Sequence, residues 1–209
     1  SIDLLVDSEL TIIAQVFLRV RNCLFSQSSL ADIGEVRSKD QALAQCADWL
    51  RTQLPEARLV PVSSTAEAVR ECRAEPGVAA IAGELAGQIY EVPMIEGGIQ
   101  DRSDNVTRFL VVAKQSLPMR EGVSYRTSLV LSLNDEVGAL QKALKPFSER
   151  GINLCKIESR PSKRKSWDYF FFVDFLGHPE EDGVSQALKE LSNACAFSRL
   201  LGSYPELDS

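Results

Sequence analysis

The sequence holds one histidine, His178, and its five cysteines (Cys23, Cys46, Cys72, Cys155, Cys195) never stand as C-x-x-C. That inventory excludes His-based catalytic triads and His-rich zinc sites. Odd in number and widely spaced, the cysteines read as reduced thiols of a cytosolic protein rather than a disulfide or metal framework. Basic residues are in deficit, 23 against 29 acidic ones, and the net charge of −6 argues against a nucleic-acid-binding face. No apolar run reaches the length of a membrane span. The opening SIDLLVDSELTIIAQVFLRVR places acids before its apolar stretch, unlike a secretory signal. Repeats and low-complexity tracts are missing as well. Any chemistry must therefore rest on hydroxyls, carboxylates, amides, Arg or Lys.

What is present is enough for one domain or two modest ones: 209 residues, 44% of them hydrophobic. Residues 10–20 alternate loosely as a long strand, and IGEVR (33–37) reads as a short one. SKDQALAQCADWLRTQL (38–54) predicts one helix, with apolar Ala42, Leu43, Cys46, Ala47, Leu50 and Leu54 recurring every three or four residues. Ser38 with Gln41 fits a capping box, and Ser64 with Glu67 fits a second one opening TAEAVRECRAE. VAAIA (78–82) reads as a small-residue buried strand and GELAGQIY as a short helix. This alternation of strand and helix favours an α/β layer with parallel strands.

KQSLPMREGVS, near 114–124, is the best linker candidate. The remainder, 125–209, changes order. YRTSLVLSLN is a strand, DEVGALQKALKPFSERG a helix ending at Gly151, and INLCKIESR a strand. PSKRKSW is a hairpin loop whose Lys163, Arg164 and Lys165 read as a solvated tip. DYFFFVDFLG is a strand, PEEDGVSQALKELSNA a helix and AFSRLLGSYP a last strand. The order βαββαβ is the ferredoxin-like arrangement, two helices on one face of a four-stranded antiparallel sheet. Tyr169, Phe170, Phe171, Phe172, Val173 and Phe175 are apolar on both sides of their strand. The face without helices would expose that patch, so a second copy of the domain is expected to cover or extend it.

DNVTRFLVVA (104–113) sets a hydroxyl and a guanidinium, Thr107 and Arg108, at the mouth of an otherwise apolar strand. Read by residue type alone, Thr107 is a β-former and Arg108 a solvated strand-end charge. Ser38 reads as a helix cap and Gln45 as a residue on that helix's polar side, with Gln41 and Asp48. Gly138 permits close packing of a helix start, and Arg160–Pro161 stops a strand. His178 reads as a strand-end residue.

GALQKALKPFSERGINLCKIESRPSKRKSWDYFFFVDFLGH closely resembles the regulatory ACT domain of prephenate dehydratases, including ESRP (158–161) and FFVDFLGH (171–178). Upstream, SKDQALAQCADWL, SSTAEA, VAAIAGELAGQIY and DNVTRFLVVA resemble, in order, the later part of that family's catalytic region. The resemblance implies a fold: part of a two-lobed, periplasmic-binding-protein-like catalytic region over residues 1–113, then an ACT domain over 125–209. It implies an activity, conversion of prephenate to phenylpyruvate with loss of carbon dioxide and water. L-phenylalanine is the implied inhibitor, bound at ACT domains that form a homodimer or tetramer. No cofactor or metal is implied, and no nucleic-acid or membrane partner.

Residue by residue, the resemblance assigns Thr107 as the catalytic threonine, a hydrogen-bond donor to the departing hydroxyl. Ser38 and Gln45 match the family's other catalytic polar positions. Arg108 could pair a substrate carboxylate bidentately, and Ser64 and Thr65 offer a second capped helix start facing the substrate. For the effector, Gly138, Ala139 and Leu140 would meet a carboxylate with free helix N–H groups, while Glu158, Ser159 and Arg160 receive the rest.

The sequence also departs from the family. The glycine-rich GPxGTFS and the ENS segments do not occur, SIDLL resembles the stretch after the first hinge, and SHP is here Ser38-Lys39-Asp40. Roughly 70 to 90 residues of the first lobe are expected to be missing. DNVTRFLVVA then needs a partner strand, and the alternative reading is a non-catalytic L-phenylalanine-binding regulatory protein or inactive fragment.

Overall fold

The computed structural model describes residues 2–102, 106–162 and 169–206. The hairpin tip at Lys163, Arg164 and Lys165 lies outside the described residues. Residues 18–107 form one compact unit, and residues 1–17 with 108–209 form another.

The 18–107 unit is built on a five-stranded sheet. Its strands are β2 (Asn22–Ser26), β3 (Glu35–Ser38), β4 (Arg58–Pro61), β5 (Val78–Gly83) and β6 (Met94–Gly97), in the order β4-β3-β5-β2-β6. β1 (Thr11–Arg19) lies in a separate sheet and is described below. β3 runs parallel to β4 and β5, whereas β2 is antiparallel to β5 and β6. The sheet is therefore mixed, not all-parallel. Strands β2, β4 and β6, of five, four and four residues, go unread in the sequence, being too short for a period to mark them, whereas β3 is read although it is equally short.

Helices α1 (Asp40–Gln45) and α2 (Ala47–Gln53) cover one face, with Leu43, Cys46 and Leu50 on Leu24, Val36 and Ile81. α3 (Thr65–Cys72) and α4 (Glu84–Tyr90) cover the other, with Ala68, Val69 and Cys72 on Phe25, Ala80 and Ala82. Coverage on both faces explains why β5 is an unbroken run of small apolar residues. At Gly87, a Cβ would stand 2.1 Å from the Phe25 ring, so only glycine lets α4 lie this close.

The single helix expected over 38–54 is broken at Cys46. The cause is Asp101, distant in sequence. Its N–H donates to the Gln45 carbonyl at 2.8 Å, and its carboxylate accepts from Asp48 N and Trp49 N at 3.2 and 3.3 Å. One residue thus ends α1 and caps α2.

In the second unit, β8 (Tyr125–Ser132), β9 (Leu154–Pro161), β10 (Tyr169–Leu176) and β11 (Phe197–Pro205) form an antiparallel sheet. Its order β11-β8-β10-β9, with α5 (Ala139–Glu149) and α6 (Asp182–Ala194), is the ferredoxin-like arrangement read from the sequence. Phe147, Val184, Ala187 and Leu191 of the helices bury Leu129, Leu131, Val173 and Phe175.

The opposite sheet face is covered by the chain's own residues. Leu5, Val6 and Ile12 pack on Val130, Phe170, Phe172, Leu201 and Tyr204, with Leu110 beside them. The chain's own N-terminal residues thus take the place where a covering second copy was expected, and extension of the sheet by a second copy is left to proposal. The N-terminal segment takes that place because β11 bulges at Gly202 (φ +152°), where a Cβ would meet the Ile12 carbonyl oxygen at 2.1 Å.

β1 pairs with β7 (Val106–Ala113) in a two-stranded sheet, so DNVTRFLVVA finds its partner strand within the chain. Leu110 faces the core, while Phe109 and Val111 stay 51% and 40% exposed.

Candidate functional site

Within the 18–107 unit, a cleft of about 210 Å³ is lined by Val20, Asn22, Lys39, Gln41, Ala42, Gln45, Thr65 and Thr107. Local sequence explains each placement. Thr107 is the second residue of β7 and is exposed. Gln41 and Gln45 are one turn apart on α1, and Thr65 opens α3. Asn22 begins β2, only 4% exposed, with its amide Nδ2 donating to Gln45 Oε1 at 3.3 Å and its backbone N–H donating to Gln100 Oε1 at 3.0 Å.

Chemically, the described residues of the lining offer two hydroxyls, three amides and one cation, with no carboxylate among them. Such a wall favours an anionic guest bearing its own hydrogen-bonding oxygen. Asn22 carries no sequence signal, since a polar residue between Arg21 and a short apolar run looks like a strand start. Only the sheet reveals it, by setting β2 beside α1.

Several expected residues have other tasks. Ser38 does not cap a helix. It ends β3, is 0% exposed, and its Oγ donates to the Ile81 carbonyl at 2.6 Å. Lys39 occupies the α1 N-cap without a side-chain bond. Ser38 stands one residue before the N-cap, and its hydroxyl turns inward to satisfy a buried carbonyl instead of accepting from the helix N–H groups. Ser38→Ala should lower stability by about 1–3 kcal/mol, the cost of leaving the Ile81 oxygen unpaired. A urea midpoint unchanged from that of the parent chain would contradict this.

Ser64 does cap α3, accepting from Glu67 N at 3.0 Å. The reciprocal arm goes elsewhere, because the Glu67 carboxylate takes the Ser63 hydroxyl.

Arg108 is not available to pair a substrate carboxylate. In the second unit its guanidinium donates to Asp174 Oδ2 at 2.6 Å and to the Tyr204 hydroxyl. Ser128 Oγ donates to Asp174 Oδ1 at 2.5 Å and lies 2.6 Å from the Tyr204 oxygen. With the Ser128 proton on Asp174, Tyr204 must donate to Ser128 and accept from Arg108. Burial pushes the Tyr204 hydroxyl up to about 12, so it keeps its proton at any ordinary pH.

The expected effector residues divide between two faces. Gly138 (φ +80°) is the N-cap of α5, followed by buried Ala139 and half-buried Leu140. On edge strand β9, Ser159 is registered with Phe171, which packs on the helix-covered core. Glu158 and Arg160 are registered with Phe172 and Phe170, whose side chains belong to the opposite core. Hydrogen bonds from Lys156 and then Arg160 hold the Glu158 carboxyl below its ordinary range. Arg160 also reaches Asp3 at 3.2 Å. His178 is buried, and its Nδ1 accepts from Glu180 N at 3.2 Å.

The family profile for prephenate dehydratase matches residues 1–117, and that for the ACT domain matches residues 127–193. A bifunctional chorismate mutase/prephenate dehydratase of Aquifex aeolicus is 43% identical over 207 residues, covering 99% of this chain and 57% of its own length. The solved prephenate dehydratase of Arthrobacter aurescens in complex with L-Phe superposes with a TM-score of 0.85 at 33% identity, covering 99% of this chain and 71% of that one. A solved protein described as a quorum quenching acylase, GqqA, superposes at 0.86 with 28% identity, over 98% and 75% of the two chains. The chain thus spans little more than half the length of the curated relative.

Proposed function

The chain belongs to the prephenate dehydratase family, and from that premise we propose that the Thr107 cleft takes prephenate and forms phenylpyruvate. In this reaction the bond from the ring to its carboxylate breaks and carbon dioxide leaves. The electron pair moves through the ring, aromatising it and expelling the hydroxyl, which takes a proton from solvent and departs as water. The Thr107 hydroxyl donates a hydrogen bond to that oxygen as its charge develops, an interaction stronger in the transition state than in the bound substrate. Asn22 and Gln45 orient the ring's polar substituents. The single observation that carries the reading is Thr107 lining one cleft with the neutral hydrogen-bonding side chains of Asn22, Gln45 and Thr65. Acyl transfer is less favoured, because the chain's one histidine lies in the other unit and faces Glu180.

L-phenylalanine is the proposed effector. Its carboxylate meets the start of α5 at Gly138, Ala139 and Leu140, where the Ala139 N–H also donates to the Glu136 carbonyl at 3.2 Å, and its ammonium meets anionic Glu158. Glu158 faces away from α5 of its own chain, so the two halves come from two copies, which makes a homodimer or tetramer through the ACT domains part of the proposal. The cytoplasm is the proposed compartment.

Incubating the full chain with prephenate and following phenylpyruvate tests the enzyme reading. Failure to turn over, with L-phenylalanine still bound, would favour a non-catalytic regulatory protein. At 100 times its Kd, L-phenylalanine should add about 2.7 kcal/mol of stability and a corresponding rise in Tm. Glu158→Ala should remove that rise, and a full response in the variant would displace Glu158 from the site.

A further inference from the structure

We propose that Lys39 is the residue that selects and holds the carboxylate end of a dianionic substrate in the Thr107 cleft. The inference rests on the reading of that cleft as the prephenate site. Lys39 lines it together with Thr107, Asn22, Gln45 and Thr65, and it is the one cation among the described lining residues. Its side chain is exposed and makes no ion pair among the described residues.

Arg37 and Arg108 are both occupied. Arg37, half-buried in the same unit, binds Glu35, Glu71 and Glu75 at 2.6, 3.1 and 2.7 Å. Arg108, next to Thr107 in sequence, is held by Asp174 and Tyr204. A guest with two carboxylates entering a wall of amides and hydroxyls loses hydration that neutral donors only partly replace. A mobile ammonium at the rim supplies the missing charge-assisted hydrogen bond.

Lys39 is also positioned without a structural duty for its side chain. As the N-cap of α1 it serves through its backbone, its carbonyl accepting from Ala42 N and Leu43 N at 2.9 and 3.1 Å, while the side chain makes no capping bond. The backbone fixes where the ammonium starts, and the stem lets it follow the ligand. The interaction forms with ground state and transition state alike, so Lys39 governs KM and leaves kcat nearly unchanged.

The test is steady-state kinetics and equilibrium dialysis with prephenate on the full chain, for the parent, Lys39→Gln and Lys39→Arg. Lys39→Gln should raise KM and the dialysis Kd roughly ten- to 150-fold, the range of a lost charged hydrogen bond, with kcat within about twofold. Its KM should also rise less steeply with salt than the parent's, since one screened charge pair is gone. Lys39→Arg should restore KM to within about threefold. An active parent whose KM and salt dependence survive Lys39→Gln overturns the assignment alone, as does a fall in kcat at constant KM. A parent that neither converts nor binds prephenate overturns this assignment and the proposed function together.

Discussion

Thr107→Val is expected to lower kcat for prephenate by about 10²–10³-fold while KM moves less than threefold. Valine keeps the branched shape and the strand preference of threonine, so β7 and the cleft wall stay as they are. What disappears is the O–H at the oxygen that leaves. Because that oxygen gains charge only as the ring carboxylate departs, the lost hydrogen bond appears in the barrier and not in ground-state binding. Thr107→Ser should recover most of the rate, since the hydroxyl returns without the methyl group. The split between kcat and KM separates this residue from Lys39, for which the opposite pattern is expected. A Thr107→Val enzyme with kcat within threefold of the parent would remove the hydroxyl from the reaction.

Local rules describe where Thr107, Gln45 and Thr65 sit, at a strand mouth, on a helix face and after a true cap, but only the family resemblance marks them as a site. Ser64 behaves as its spacing with Glu67 predicts, because nothing buried competes for its oxygen. Ser38 has the same local pattern and the opposite outcome, since the Ile81 carbonyl across the sheet claims its proton. Asp101, which breaks the long helix, lies 53 residues beyond Asp48, and no periodicity connects them. Asn22 enters the cleft for a similar reason: the antiparallel insertion of β2 beside β5 is a pairing, not a pattern. The ferredoxin-like order was legible because each of its elements is eight residues or longer and its period clear. The cover over its open face was not, since a short N-terminal segment reveals its partner only once Gly202 lets it approach.

The largest stability effect falls on a residue the sequence gives no reason to notice. Asp174 interrupts an aromatic strand, is 4% exposed, and carries its charge on the face buried by the N-terminal segment. Arg108 answers it from β7, and Ser128 and Tyr204 satisfy its second oxygen and the guanidinium fork from β8 and β11. Asp174→Ala removes one partner and leaves a largely buried cation whose Nε already has no hydrogen bond. Breaking such a pair from one side costs about 3–5 kcal/mol, and for a chain of 150–250 residues each kcal/mol moves Tm by about 2–4 °C. A fall of roughly 6–20 °C is therefore expected by calorimetry. The double variant Arg108→Met with Asp174→Leu distinguishes uncompensated charge from lost packing. Replacing both ions by apolar groups of similar volume removes two desolvation penalties at once, so the double variant should regain most of what the single one loses. If instead the double variant is as unstable as Asp174→Ala, then the Ser128 and Tyr204 hydroxyls, stranded without an acceptor, are what the strand needs Asp174 to satisfy.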